Sequence, residues 1–213
     1  ITLHGETGLG GSEAICHSKI LQDYALPGQM IVGSDSHTPH SGAIGCVAFG
    51  IGTTAIFNSW ITRDVYSEVP ETVRVEVRGE RPAGITAKDM MLAILRTSYV
   101  CEGHAIGKMV EYCGKAVEEL SIDERATMTN MAAEVGAFSG IVAPDEKTVE
   151  FLFAERGIDP EVARGYCEGL FSDPGGEYYH EIIIDVASLE PLVALPGDPG
   201  NGVDISRLEH EVA

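Results

Sequence analysis

Apolar positions recur along this chain with two alternating periods. In residues 71–79, ETVRVEVRG, valines alternate with charged residues, the two-residue period of a strand with one open face. In residues 86–98, TAKDMMLAILRTS, the spacing turns helical, with Thr86 placed to cap the helix, Asp89 three residues on, and the firm helical stretch at 87–96. The same alternation runs through the chain. GSEAICHSKILQDYA (11–25) reads as a helix with Ile15, Ile20 and Leu21 near one side, ended by Pro27-Gly28. QMIVGS is a short buried strand. KMVEYCG is another strand. IDERATMTNMAAEVGA (122–137) is a helix with Ser121 and Glu124 in the capping-box spacing. SGIVAP is a strand, DEKTVEFLFAER a helix, and a last strand falls near 180–186. Residues 41–61, SGAIGCVAFGIGTTAIFNSWI, are apolar and rich in glycine. We read them as two closely packed helices breaking at Gly50 or Gly52, dependent on tertiary contacts because glycine weakens an isolated helix. Strand–helix alternation of this kind predicts an α/β fold with a largely parallel sheet.

Composition narrows the function. The chain has 213 residues, enough to bury a real core. Its 14 Lys and Arg against 33 Asp and Glu give a net charge of −19, which argues against binding nucleic acid. A polycarboxylate ligand would find few cations here. No apolar run reaches the roughly 18–20 residues of a membrane helix, and no signal peptide is evident. The five cysteines, 16, 46, 101, 113 and 167, show no Cys-x-x-Cys or Cys/His ligand spacing. We expect free thiols in a reducing cytoplasm, most of them small buried apolar residues.

VGSDSHTPHSG (32–42) concentrates proton-handling groups on a turn after the strand. Ligands of open α/β sheets gather at the carboxyl ends of strands. Two residues apart on extended backbone, Asp35 and His37 point the same way, and a carboxylate beside an imidazole can orient it and hold its charge. The pair suits proton transfer or the handling of a metal-bound water. Ser36 can donate to a substrate oxygen. Equally, Asp-Ser-His is an ordinary turn and capping sequence. A mononuclear metal site at Asp35, His37 and His40 is a further alternative.

The wider stretch GSDSHTPHSGAIGCVAFGIGTT resembles the Asp-Ser-His-Thr signature of the aconitase superfamily. GGSEAICHSKILQDYALPGQMIVGSDSHT resembles that family's His-bearing helix, Pro-Gly and signature strand. VEYCGKAVEELSIDERATMTNMAAEVGAFSGIVAPDEKT resembles its second-domain block, nearest the isopropylmalate dehydratase version. The likeness covers roughly residues 10–155, in order. It implies an aconitase-type α/β/α layer fold and a hydro-lyase that removes and re-adds water on a hydroxy di- or tricarboxylic acid. In such enzymes a [4Fe–4S] cluster acts on the leaving hydroxyl. By position, the resemblance implies catalytic roles for His17, Asp35, His37 and Glu134 and substrate contacts for Ser36 and Asn130. Read alone, Glu134 is a solvated helix residue and His17 an ordinary core or surface histidine. Asn130 and Glu134 are four apart and share a helix face, with Met128, Met131 and Val135 packing elsewhere.

The departures matter too. The family's Ser-Cys-Thr and later Cys-x-x-Cys ligand segments are absent, so we expect all cluster ligands to lie outside this chain and no metal ligand within it. The substrate-binding arginines, a catalytic serine and an Asp-His pair are absent as well. YVCEGHAIGK (99–108) replaces a Gly-Gly-Thr-Gly stretch, and we read Glu102 and His104 as loop residues. HGETGLGG (4–11) lacks the Lys-Ser/Thr of a phosphate loop, leaving His4 and Glu6 without an assigned role.

We therefore expect a piece of a longer protein: residues 1–70 from a first α/β unit, 71–175 a complete second unit, and 176–213 the start of a third. Its expected partners are a small carboxylate substrate and the remaining domains or a small subunit. Alone, it should fold at least in its middle portion, lack dehydratase activity, and self-associate through uncovered apolar surface. The alternative is an inactive binding or scaffold module of the same fold.

Overall fold

The computed structural model describes residue 4 and residues 15–208. Helix α1 (Cys16–Asp23) leads through a turn to strand β1 (Met30–Gly33), then a 3-10 segment (Thr38–Ile44) and strand β2 (Val47–Gly50). Strands β1 and β2 pair in parallel, Met30 opposite Val47 through Gly33 opposite Gly50. Helix α2 (Thr53–Thr62) follows, capped by Gly52.

The expected helix pair at 41–61 is thus corrected to a tight turn, a strand and one helix. The break near Gly50–Gly52 lies where the residue spacing put it. Val47-Ala48-Phe49 reads as helix or strand by periodicity alone, and pairing with β1 decided it. Helix α2 buries none of its residues and presents Phe57, Trp60 and Ile61 to solvent.

The larger sheet is built from β3 (Thr72–Arg78) and its neighbours. Helix α3 (Ala87–Leu95), the short α4 (Ser98–Cys101), strand β4 (Met109–Cys113) and the one-turn α5 (Lys115–Glu118) come next. They are followed by α6 (Ile122–Asn130), α7 (Ala132–Val135), strand β5 (Ser139–Val142), α8 (Glu146–Arg156) and α9 (Pro160–Cys167). Strand β6 (His180–Asp185) and a hairpin of β7 (Leu192–Ala194) and β8 (Gly202–Asp204) complete the described chain. The order across the four-stranded sheet is β5-β4-β3-β6, all parallel. Strand β6, at the start of the stretch expected to open a third unit, lies hydrogen-bonded along β3. The predicted caps are present: Thr86 with Asp89, and Ser121 with Glu124, each exchange both capping-box hydrogen bonds.

Valines 73, 75 and 77 bury one face of β3 against Met90, Met91, Ile94 and Met128. A second core joins residues far apart in the chain: Leu21, Ile44, Cys46 and Ala48 pack with Ile122, Ala126, Val149 and Leu152. The β1–β2 segment is therefore seated on the edge of the larger sheet. The Ser139 hydroxyl donates to the Ala48 carbonyl at 2.6 Å, and Phe49 stacks near Phe138 with centroids 4.5 Å apart. Gly42 makes the seam possible, since a Cβ there would come 1.9 Å from the Gly140 carbonyl oxygen.

Candidate active site

The turn after β1 is drawn tight by its own hydrogen bonds. The Asp35 carboxylate accepts the His37 amide at 2.8 Å, and the Thr38 hydroxyl donates to the Asp35 carbonyl at 2.6 Å. Gly50, at the end of β2, supports it from below: a Cβ there would come 2.4 Å from the Asp35 carbonyl oxygen. This fixes the direction of both functional side chains on the turn.

Four residues expected to be catalytic come together. His17, on α1, places Nε2 3.0 Å from Asp35 Oδ1. His37 Nδ1 is 3.4 Å from the same oxygen, and its other nitrogen, Nε2, is 3.5 Å from Glu134 Oε1. One imidazole thus stands between two carboxylates supplied by residues about a hundred positions apart. The His37 amide hydrogen bond, reinforced by the two histidine rings against a smaller opposing effect of burial, holds Asp35 below the usual carboxylate range. Asp35 is therefore ionised at neutral pH.

Glu134 reaches His37 because α6 is pinned to the turn. The Thr129 hydroxyl donates to the His40 carbonyl at 3.0 Å. The helix expected to be continuous over 122–137 is corrected to two pieces, breaking at Met131. There the Glu134 amide bonds back only three residues, to the Met131 carbonyl at 3.2 Å, and Gly136 ends the second piece in the left-handed region at φ 73°. Met128 and Val135 enter the core as expected, whereas Met131 lines the cleft.

That cleft, of about 540 Å³, is bordered by His17, His40, Asn130 and Glu134, with Lys88 from α3 and Ala194 and Pro199 from the β7–β8 hairpin region. Ser36 is exposed on the turn, its hydroxyl 3.3 Å from His37 Nδ1, and, like Asp35 and His37, it is not among the residues that line the cleft. Lys88 and the hairpin wall escaped the sequence reading. A signal for Lys88 existed, a single cation inside the apolar run AKDMMLAIL. The hairpin is short and carries no long alternating pattern.

His40 contributes a neutral ring. Burial, with the neighbouring His17 charge adding to it and Asp123 opposing, pushes its imidazole down to about 4. The unfolded chain takes up this proton near 6.5 and the folded protein only near 4. Folding stability should therefore fall as pH drops through that interval and level off below it. The His40 ring resonances in NMR are expected to titrate near pH 4, and a midpoint near 6.5 would contradict the burial argument.

Among the described residues no group of three His, Cys, Asp or Glu side chains is placed to hold a metal ion. The alternative site of Asp35, His37 and His40 is thereby corrected: the three do not form such a group, and the His40 Nδ1 is buried without a hydrogen-bond partner among the described residues. The cysteines do not fit an iron–sulfur cluster either. Cys46 is buried in the second core, its thiol donating to the Leu26 carbonyl and pushed up to about 12 by burial. Cys101 and Cys113 direct theirs to the Leu95 and Val75 carbonyls. All five are free, yet only Cys46 is fully buried, which corrects the expectation that most would be. The others sit at the ends of elements, Cys16, Cys101 and Cys167 at helix ends and Cys113 at the end of β4, which leaves them partly or fully open.

His104 pairs with Glu102 at 3.1 Å on an exposed loop, away from the cleft lining. His4 Nε2 meets the Tyr24 hydroxyl at 2.5 Å. Glu6 and the rest of 5–14 lie outside the described residues. No helix among the described residues is long and apolar enough to cross a membrane.

Comparison with known proteins gives the family of the chain. Residues 4–213 match the Aconitase family (aconitate hydratase). The chain is 38% identical over 198 residues to the 3-isopropylmalate dehydratase large subunit 1 of Methanopyrus kandleri, covering 92% of this chain. It spans 45% of that relative's length. An Asp-Ser-His turn, a histidine-bearing helix before it and a glutamate brought back from α7 thus stand in a chain that belongs to the aconitase family.

Proposed function

We propose that this chain supplies the acid–base wall of a hydro-lyase acting on a hydroxy di- or tricarboxylic acid, and that further domains or a small subunit complete the site. The observation that carries the reading is the His37 imidazole held between the Asp35 and Glu134 carboxylates, with His17 on the far side of Asp35. A departing hydroxide is a poor leaving group and must be protonated or otherwise neutralised. His37, flanked by two carboxylates, can carry the proton that turns it into water, and the same groups can recover that proton when water is added back. Asp35 acts from a lowered pKa as a fixed anion that aligns both rings. Asn130 lines the cleft and offers an amide to a substrate oxygen. Ser36 stays a substrate contact in this reading only through the open outer side of the turn.

The iron–sulfur cluster that the family resemblance implies finds no ligand set among the described thiols, and no step is assigned to it here. In this reading its ligands, and the group that removes the carbon-bound proton, come from the parts that complete the site. In this reading the stretches 1–70, 71–175 and 176–213 are pieces of that larger architecture, the last of them joined to the second through the pairing of β6 with β3, and the free thiols suit a reducing cytoplasm.

The test is an assay of the full-length protein, prepared anaerobically with iron and sulfide, for hydration of unsaturated di- and tricarboxylates. Turnover is expected there and none from the 213-residue chain alone. A correctly folded, cluster-loaded full-length protein that hydrates none of them would overturn the reading.

A further inference from the structure

The cleft holds one permanent cation, and nothing in the fold uses it. Of the fourteen Lys and Arg side chains, twelve are committed to carboxylates or backbone carbonyls. Examples are Arg81 on Glu124, Arg96 on Asp204, Lys108 on Glu71 and Lys147 on the Glu119 and Leu120 carbonyls. Only Arg63 and Lys88 carry a charged group with neither hydrogen bond nor ion pair among the described residues. Arg63 ends α2 on the open surface, whereas Lys88 borders the cleft that also carries His17, Asn130 and Glu134.

Its placement is costly to the fold in isolation. Lys88 is the second residue of α3, at the positive end of the helix dipole, where a cation is disfavoured. Every other residue of that helix is buried, so Lys88 alone is left open, on the side where the cleft lies. A chain of net charge −19 has carboxylates in excess to neutralise a stray lysine, yet among the described residues Lys88 pairs with none of them. The Asp89 carboxylate beside it is already taken up by the Thr86 and Leu192 amides, so it leaves the Lys88 ammonium unpaired.

We infer that Lys88 is a substrate-binding residue that seats a carboxylate group of the anionic substrate in this cleft. The inference rests on the hydro-lyase reading of the site and adds to it the cation that the composition alone left missing. The carboxylate lies over the start of α3 and leaves the opposite end of the molecule toward His17 and Glu134, which share the cleft lining. Neutral His40 adds no competing charge.

The experiment is an amide NMR titration of the chain with malate, a simple hydroxy dicarboxylate, at constant ionic strength. Shifts are expected at Lys88, Asn130 and Glu134. Lys88→Gln should weaken binding by about tenfold or more, the worth of a charge-assisted hydrogen bond, and Lys88→Arg should retain most of it. Because the Lys88 ammonium makes no hydrogen bond or ion pair among the described residues, both variants should keep the unsubstituted spectrum elsewhere. Equal affinity in Lys88→Gln, shifts confined to other surfaces, or no cleft shifts in the unsubstituted chain would each overturn the inference. Turnover by the full-length protein tests the hydro-lyase reading separately, so either can fail while the other stands.

Discussion

Replacing His37 with alanine in the full-length protein is expected to lower kcat by about 10²–10⁴-fold with little change in KM, the usual worth of a positioned general acid–base. His37 is the one side chain that touches both carboxylates, Asp35 at 3.4 Å and Glu134 at 3.5 Å. Glu134→Gln should produce a loss of the same order, because it keeps the shape of α7 and removes only the charge facing Nε2. The double variant should be little worse than either single one, since groups that act as a unit are non-additive. Steady-state kinetics on the three proteins decides the matter. Losses under about threefold, or two losses that simply multiply, would show that the imidazole and the glutamate do not share one proton path.

The second large effect concerns how Glu134 is delivered. Arg125, on α6, is completely buried and grips Asp145 with both terminal nitrogens, at 2.9 and 2.5 Å, while one of them also donates to the Glu118 carbonyl. Asp145 in turn caps α8 by accepting the Lys147 and Thr148 amides. Asp145→Ala removes the cap and strands a buried guanidinium. We expect a destabilisation of about 3–5 kcal/mol from the unpaired charge and about 1 kcal/mol from the cap. That is a fall in Tm on the order of 10 °C for a chain of this size. Arg125→Met should cost distinctly less, because the carboxylate it leaves behind is 36% exposed and still bonded to the α8 amides. Thermal melts of the two variants give the comparison. Equal destabilisation by both would refute the asymmetry between a stranded buried charge and a half-solvated one.

Much of the larger sheet was legible in the residues alone. Alternating valines at 73, 75 and 77 specified β3, and Thr86–Asp89 and Ser121–Glu124 specified two helix starts, because these signals are local and strong. Residues 41–61 were not. An apolar, glycine-rich stretch has no period that separates helix from strand, and β2 exists because β1 lies beside it. The break at Met131 was invisible for a similar reason: the helical pattern of 122–137 is unbroken, while packing against the turn at 38–44 tightens the chain there.

The chemistry divides the same way. The order of residues by itself determined that Asp35 and His37 share a tight turn after a strand and that the chain is short of cations. Through resemblance it also pointed to His17 and Glu134. Only the tertiary structure decided that Glu134 faces His37, that the Asp35–His37 turn stands beside the cleft rather than in its lining, that His40 is buried and neutral, and that Lys88 is the cleft's one cation left unpaired among the described residues. Those outcomes depend on contacts between segments that are distant in the chain, Gly42 against Gly140 and Thr129 on the His40 carbonyl, and no local period encodes the meeting of such segments.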